Sequence, residues 1–139
     1  MKKKFFSYLK KIKSFALKFL VSQKQDKLFV ESLLDEDLYS LDGYQLKNLL
    51  DKNITFRFFC LESSVQDTGL NKVLQKAQFK SKQEILNFLQ NQDLKQALVL
   101  VCDKGDLSRD FSKKLRQKGF INCYFLKKGF QSIKEGFLI

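Results

Sequence analysis

A cysteine followed closely by a glycine-bearing loop is the group in this chain best suited to chemistry. Residues 97–101 form a short apolar run that predicts a buried strand of a parallel sheet, and Cys102 follows directly. Open α/β sheets bind their ligands beyond the carboxyl ends of the strands, which is where Cys102 would lie. Because the cysteine thiolate is a strong nucleophile, Cys102 is a candidate catalytic residue.

The loop after Cys102 is predicted to surround its sulfur with hydrogen-bond donors. Ser108 is expected to cap a helix that runs to Lys118 and is terminated by Gly119. The backbone N–H groups of residues 103–108, together with the positive end of that helix, would hold an anion and favour a thiolate. The candidate substrate-binding loop comprises Asp103, Lys104, Gly105, Asp106, Leu107, Ser108 and Arg109.

These residues resemble the active-site loop of the rhodanese family. The family pattern Cys-x-x-Gly-x-Arg-Ser, which ends a strand and begins a helix, corresponds here to Cys102-Asp-Lys-Gly105-Asp-Leu107-Ser108. Downstream, the family's strand and its Leu-x-Gly-Gly-Phe-x-x-Trp turn correspond to residues 122–133, and Gly136 is expected to close the last helix. Upstream, residues 56–62 and 73–79 stand where rhodaneses carry the strand ending in Asp-Val-Arg and an Ile-Pro-Gly-Ala-Ile segment. The resemblance covers about residues 38 to 136.

The resemblance implies a rhodanese-like parallel sheet flanked by helices, and a sulfurtransferase that carries sulfane sulfur as a persulfide on Cys102. It implies no metal and no cofactor, and its partners would be a sulfur donor and a sulfur acceptor, each a small molecule or a protein. In the family's sheet order, the strand ending in Cys60 neighbours the one before Cys102, which makes Cys60 a candidate resolving thiol. Cys123 is assigned to core packing.

Four positions depart from the family pattern: Leu107 replaces the loop arginine, Lys128 the first glycine of the turn, Ile133 the tryptophan and Cys60 the aspartate. The family's Pro-Gly is also missing before Ala77. Losing the arginine removes a bidentate anion clamp, while Asp103 and Asp106 add negative charge, so thiosulfate is not favoured as the donor. Lys104 or Arg109 could compensate in part.

A second function class also fits these departures. In it, the domain is a non-catalytic rhodanese-like module that binds a partner or senses redox state through Cys102. A phosphatase or arsenate reductase loop of the form Cys-x5-Arg is disfavoured, because position 108 is serine and Arg109 lies one residue too late.

The composition indicates one small domain in a reducing compartment. The chain has 139 residues, of which 44% are hydrophobic and 15 are phenylalanines, enough for one core. It contains no histidine, which excludes histidine-based triads and histidine metal sites. Three widely spaced cysteines do not form a disulfide framework and favour the cytoplasm.

Positive charge is concentrated in residues 1–27, which hold nine lysines and one aspartate, a net +8 of the chain's +11. Apolar residues at positions 5, 8, 9, 12, 15, 16, 19 and 20 share one helical face. We therefore expect a basic amphipathic helix over residues 1–27, a connector over 28–37 and the rhodanese-like domain over 38–139.

The predicted N-terminal helix has several interpretations. It would pack on the domain or a partner subunit, or adsorb through residues 1–22 to an anionic membrane surface, placing the protein at the inner face of a membrane. A cleaved signal peptide and a transmembrane helix are both disfavoured, because charge interrupts the apolar stretch. Nucleic acid is not favoured as a partner, since the aromatic residues fit one apolar stripe.

Within the domain, alternation of apolar and capping residues predicts the order of elements. Strands are expected over residues 38–40 and 54–60 and near positions 74, 97 and 122, with a helix over residues 42–50 and an exposed loop over 62–72. A capping box at Ser81 and Glu84 predicts a further helix that ends near Asn91.

Overall fold

A computed structural model describes residues 38–139, which form ten short helices and strands in alternation. The strands are β1 Ser40–Leu41, β2 Arg57–Cys60, β3 Gln78–Phe79, β4 Leu98–Val101 and β5 Cys123–Leu126. The helices are α1 Gly43–Asp51, α2 Thr68–Leu74, α3 Lys82–Leu89, α4 Asp106–Gln117 and α5 Phe130–Phe137. The predicted N-terminal helix and connector, residues 1–37, lie outside the described residues.

The strands form one parallel sheet in the order β1-β5-β4-β2-β3. All four residues of β4 and of β5 are buried, because helices cover both faces of the sheet. One face packs against α1, α2 and α5, and the other against α3 and α4. The α/β fold class predicted from the sequence is therefore confirmed for the described part of the chain.

Helices α1 and α5 cross at close range through two glycines. The Gly43 N–H donates to Ser132 Oγ at 2.7 Å. A Cβ added at Gly136 would collide with the backbone of Gly43. The prediction that Gly136 closes the last helix is wrong, because α5 continues to Phe137 and Gly136 serves this close approach instead.

The segment predicted as an exposed loop over residues 62–72 contains α2. Asp67 caps this helix, its Oδ1 accepting the Leu70 N–H at 3.0 Å, and Leu70, Val73 and Leu74 are buried. Burial of these side chains outweighs the poor helix propensity of Gly69. The strand expected near residue 74 is also wrong in position, since α2 extends to Leu74 and β3 begins at Gln78.

Other boundaries shift by a few residues. The helix predicted over residues 42–50 is α1, with Asp42 as its cap, and the strand predicted from 54 begins at Arg57. The capping box is confirmed: Ser81 Oγ accepts the Glu84 N–H at 3.2 Å, and Glu84 Oε1 accepts the Ser81 N–H at 3.1 Å. Among residues 38–139, no helix has the length and apolar character needed to cross a membrane.

Candidate active-site loop

Cys102 lies at the carboxyl end of the central strand β4, with its sulfur directed at the N-terminus of α4. Its Sγ accepts the Gly105 N–H at 3.1 Å and the Ser108 N–H at 3.3 Å. The Ser108 hydroxyl lies 3.4 Å from the same sulfur. The residue is buried, with 1% of its surface exposed. The loop therefore places backbone N–H groups and a helix N-terminus around one cysteine sulfur, as the sequence predicted.

The first turn of α4 differs from the prediction that Ser108 is its N-cap. Gly105 is the N-cap, with a φ of 90°, and Ser108 is the third residue of the helix. The Ser108 hydroxyl is buried and donates to the Gly105 carbonyl at 3.2 Å. The left-handed backbone at Gly105 turns the chain early, so the helix begins three residues sooner and brings the Ser108 amide to the sulfur.

The turn after β5 supports the Cys102 loop from the side. The Phe130 N–H donates to the Asp103 carbonyl at 2.9 Å. A Cβ added at Gly129, whose φ is 58°, would collide with the carbonyl oxygens of Cys102 and Asp103. Lys128, which stands where the family has the first glycine of the pair, also has a positive φ, of 62°. This turn therefore needs the backbone freedom of glycine at one position and accepts a strained lysine at the other.

Three carboxylates lie on the loop or contact it. Glu62 Oε1 accepts the Asp103 N–H at 3.0 Å. Asp106 Oδ1 accepts the Leu107 N–H at 2.9 Å, and Asp103 is exposed beside them. Glu62 is not among the residues predicted for the site, because it is 41 residues from its partner in the chain. The one signal for it was the position: Glu62 stands where the resemblance places the arginine of Asp-Val-Arg.

The positive side chains expected to compensate do not approach the sulfur. Arg109 Nε pairs with Asp110 Oδ1 at 3.2 Å on the surface of α4. Lys104 is exposed, and no ion pair involves it within residues 38–139. Leu107, in the position of the family arginine, is 47% exposed. The loop thus presents carboxylates and an apolar side chain where the family carries an anion clamp.

Cys60 and Cys123 are buried thiols held in their neutral form. Burial raises the pKa of Cys60 to about 11; a hydrogen bond from the Glu62 backbone opposes this, while nearby Glu62 and Cys102 add to it. Burial also raises the pKa of Cys123 to about 12, with Arg116 opposing. Both pKa values lie far above neutrality, so neither side chain is a thiolate at pH 7.

The placement of Cys60 follows the predicted sheet order. It ends β2, which neighbours β4, and it pairs in register with Val101. Cys60 belongs to the core cluster under α1, α2 and α5, whereas the Cys102 sulfur contacts α4 on the other side of the sheet. All three cysteines are free. A resolving role for Cys60 stays a prediction.

No group of three or more carboxylate or cysteine side chains able to hold a metal ion occurs in the described part of the chain. The chemistry that the loop offers is that of a single sulfur with amide donors around it. The fold and the loop together define a parallel α/β domain that carries a cysteine at the N-terminus of a helix.

Comparison with known proteins defines the family. Residues 45–136 match the family model described as Rhodanese-like domain, and the chain belongs to that family. Among solved structures, it is similar to a rhodanese homolog from the extremely thermophilic bacterium Thermus thermophilus, at 20% identity and a TM-score of 0.47. That match covers 67% of this chain and 98% of the other. The comparison with curated proteins gives no match.

Proposed function

We propose that this protein is a single-domain sulfurtransferase that carries sulfane sulfur as a persulfide on Cys102. The observation that supports this most is that the Cys102 sulfur accepts two backbone N–H groups at the N-terminus of α4. Such donors stabilise a negatively charged sulfur more than a neutral one, because charge-assisted hydrogen bonds are the stronger ones. The thiolate is the form that attacks another sulfur.

The transfer needs no oxidant or cofactor. The Cys102 thiolate attacks the outer sulfur of a persulfide, R–S–S–H; the S–S bond breaks, R–S⁻ leaves, and Cys102 carries S–S–H. A nucleophilic acceptor then takes the outer sulfur and restores the thiolate. The Gly105 and Ser108 amides lie beside the sulfur, where they would stabilise the charge in each step.

A non-catalytic module that binds a partner or senses redox state through Cys102 is the second candidate. Two observations favour it. The family arginine is replaced by Leu107, and Cys102 exposes only 1% of its surface, which restricts the access of a donor to the sulfur. The two functions differ in whether Cys102 accepts sulfur from a donor in solution.

Persulfide loading tests the proposal. Purified protein is incubated with a small alkyl persulfide and analysed by intact and peptide mass spectrometry, which detects an added sulfur of about 32 mass units. We expect the addition on Cys102 alone, its loss in Cys102→Ser, and its retention in Cys123→Ala, which removes a buried thiol on β5. An unmodified Cys102 across several donors would favour the non-catalytic module.

A further inference from the structure

Four of the six backbone N–H groups in the Cys102 loop, residues 103–108, donate to groups of the protein itself. Within this loop, the N–H groups of Gly105 and Ser108 donate hydrogen bonds to the sulfur. Those of Asp103 and Leu107 are donated to the carboxylates of Glu62 and Asp106. Two backbone N–H groups that such a loop would offer to an anionic substrate therefore donate to carboxylates of the protein instead.

Glu62 differs from Asp106 because it comes from another strand. Asp106 contacts the amide of the next residue, as acidic residues in the first turn of a helix commonly do. Glu62 follows β2 and reaches across to the loop after β4, where its carboxylate accepts the Asp103 N–H in an exposed position. Its charge is therefore held against the residue that follows Cys102 by a contact between distant parts of the chain.

We infer that Glu62 is a specificity-determining residue that selects donors carrying at most one negative charge, such as an alkyl persulfide, against the thiosulfate dianion. This inference rests on the proposed sulfur transfer. Coulomb repulsion is proportional to the product of the charges, so each loop carboxylate repels a dianion twice as strongly as a monoanion. No arginine offsets this repulsion, because position 107 carries leucine.

Alkyl persulfide and thiosulfate transfer sulfur to Cys102 by the same reaction and differ in the leaving group. From an alkyl persulfide, the attacked S–S bond releases R–S⁻; from thiosulfate, it releases sulfite, which carries two charges. The sulfite dianion must form and depart beside the Glu62 carboxylate. Both the approach and the departure of thiosulfate are therefore disfavoured at this site.

The test compares how fast each donor loads Cys102 in the full-length protein and in two variants. Glu62→Gln removes the charge but keeps a side-chain oxygen able to accept the Asp103 N–H, so the loop keeps its shape. Asp51→Asn is the matched control: it removes one exposed carboxylate at the end of α1, which pairs with Lys47 and not with the Cys102 loop. Loading is measured by mass spectrometry at constant ionic strength.

We expect Glu62→Gln to raise the rate with thiosulfate about tenfold and the rate with alkyl persulfide by about threefold or less, because a donor with one charge is repelled half as strongly and a neutral donor is not repelled. Asp51→Asn should change neither. A wild-type protein that loads from both donors equally well, or an unchanged donor ratio in Glu62→Gln, would overturn the inference and leave sulfur transfer intact. Loading from neither donor in any variant would instead reject the proposed function.

A binding measurement separates charge selection from turnover. Calorimetry on Cys102→Ser, with and without Glu62→Gln, reports thiosulfate affinity when no transfer can occur. The inference predicts about tenfold tighter binding in the double variant. Equal affinities in the two proteins would show that Glu62 does not control access of anions to the loop.

Discussion

The sulfur of Cys102 lies 3.3 Å from the Ser108 nitrogen and accepts its N–H, so it occupies the place of a helix-capping side chain. Helices are usually capped by an oxygen that accepts the N–H of the second or third residue, and Ser108 is the third residue of α4. The N-cap itself, Gly105, has no side chain to do this. Cys102 therefore stabilises α4 in addition to any chemistry that it performs.

The first prediction concerns this capping role. Cys102→Ala leaves the buried Ser108 amide without its acceptor, and we expect the free energy of unfolding to fall by about 1 to 2 kcal/mol. Cys102→Ser keeps an acceptor at the same position and should lose less than half of that. Urea denaturation of the three proteins measures both effects. Equal stability of the alanine variant and the wild type would contradict the capping role.

The second prediction concerns the turn that supports the loop. Gly129→Ala should lower the free energy of unfolding by about 2 to 3 kcal/mol, because its φ of 58° is strained for alanine and its Cβ meets the Cys102 and Asp103 carbonyls. Lys128→Gly should raise it by about 0.5 kcal/mol, since a lysine φ of 62° is relieved. Thermal unfolding of the two variants measures the expected loss and the expected gain of stability. A Gly129→Ala variant more stable than the wild type would show that the turn has another conformation.

The third prediction concerns alkaline pH. The pKa values of Cys60 and Cys123 are raised from 9.0 to about 11 and about 12 in the folded protein. Below pH 9 these thiols are neutral in both states; above it the unfolded chain releases protons that the folded protein retains, so stability is lost as pH rises. Between pH 8 and pH 10 the free energy of unfolding should fall by about 2.5 to 3 kcal/mol.

Urea denaturation at the two pH values measures this fall, and the variant Cys123→Ala provides the comparison. Without that thiol, the loss of stability between pH 8 and pH 10 should be roughly halved. A pH-independent stability in the wild type would mean that the two thiols are not buried as described.

The fourth prediction concerns residues 1–22, whose basic and apolar faces remain a sequence-based expectation. We expect the full-length protein to co-sediment with vesicles that contain anionic lipid, and the binding to weaken as salt rises. A variant lacking residues 1–22 should stay in the supernatant. Equal sedimentation of both proteins would reject membrane adsorption through this segment.

The sequence best predicts the parts of the site whose hydrogen bonds join residues that are close together in the chain. A short apolar run that ends in Cys102, followed by Gly105, predicted a cysteine against the N-terminus of a helix, and the hydrogen bonds to its sulfur have that arrangement. The capping box at Ser81 was equally visible, because both of its contacts lie within four residues. Sequence-local hydrogen bonds of this kind depend little on the rest of the fold.

Features that depend on distant contacts could not be predicted from the sequence. The sequence of α2 predicts a loop because Gly69 weakens the helical pattern, whereas burial of Leu70 and Leu74 in the core stabilises the helix. The role of Ser108 as cap was wrong because the φ of 90° at Gly105 depends on the turn packed beside it. Glu62 was missed because its partner is 41 residues away.

Sulfur transfer requires that the Cys102 sulfur be reachable and nucleophilic at neutral pH. Site-resolved alkylation by iodoacetamide, followed by peptide mass spectrometry from pH 5 to 9, tests this directly. We expect Cys102 to react at pH 7 at least about tenfold faster than a free cysteine peptide, while Cys60 and Cys123 stay unmodified. Modification of Cys102 no faster than the peptide, or no modification of the folded protein, would contradict a catalytic role for its sulfur.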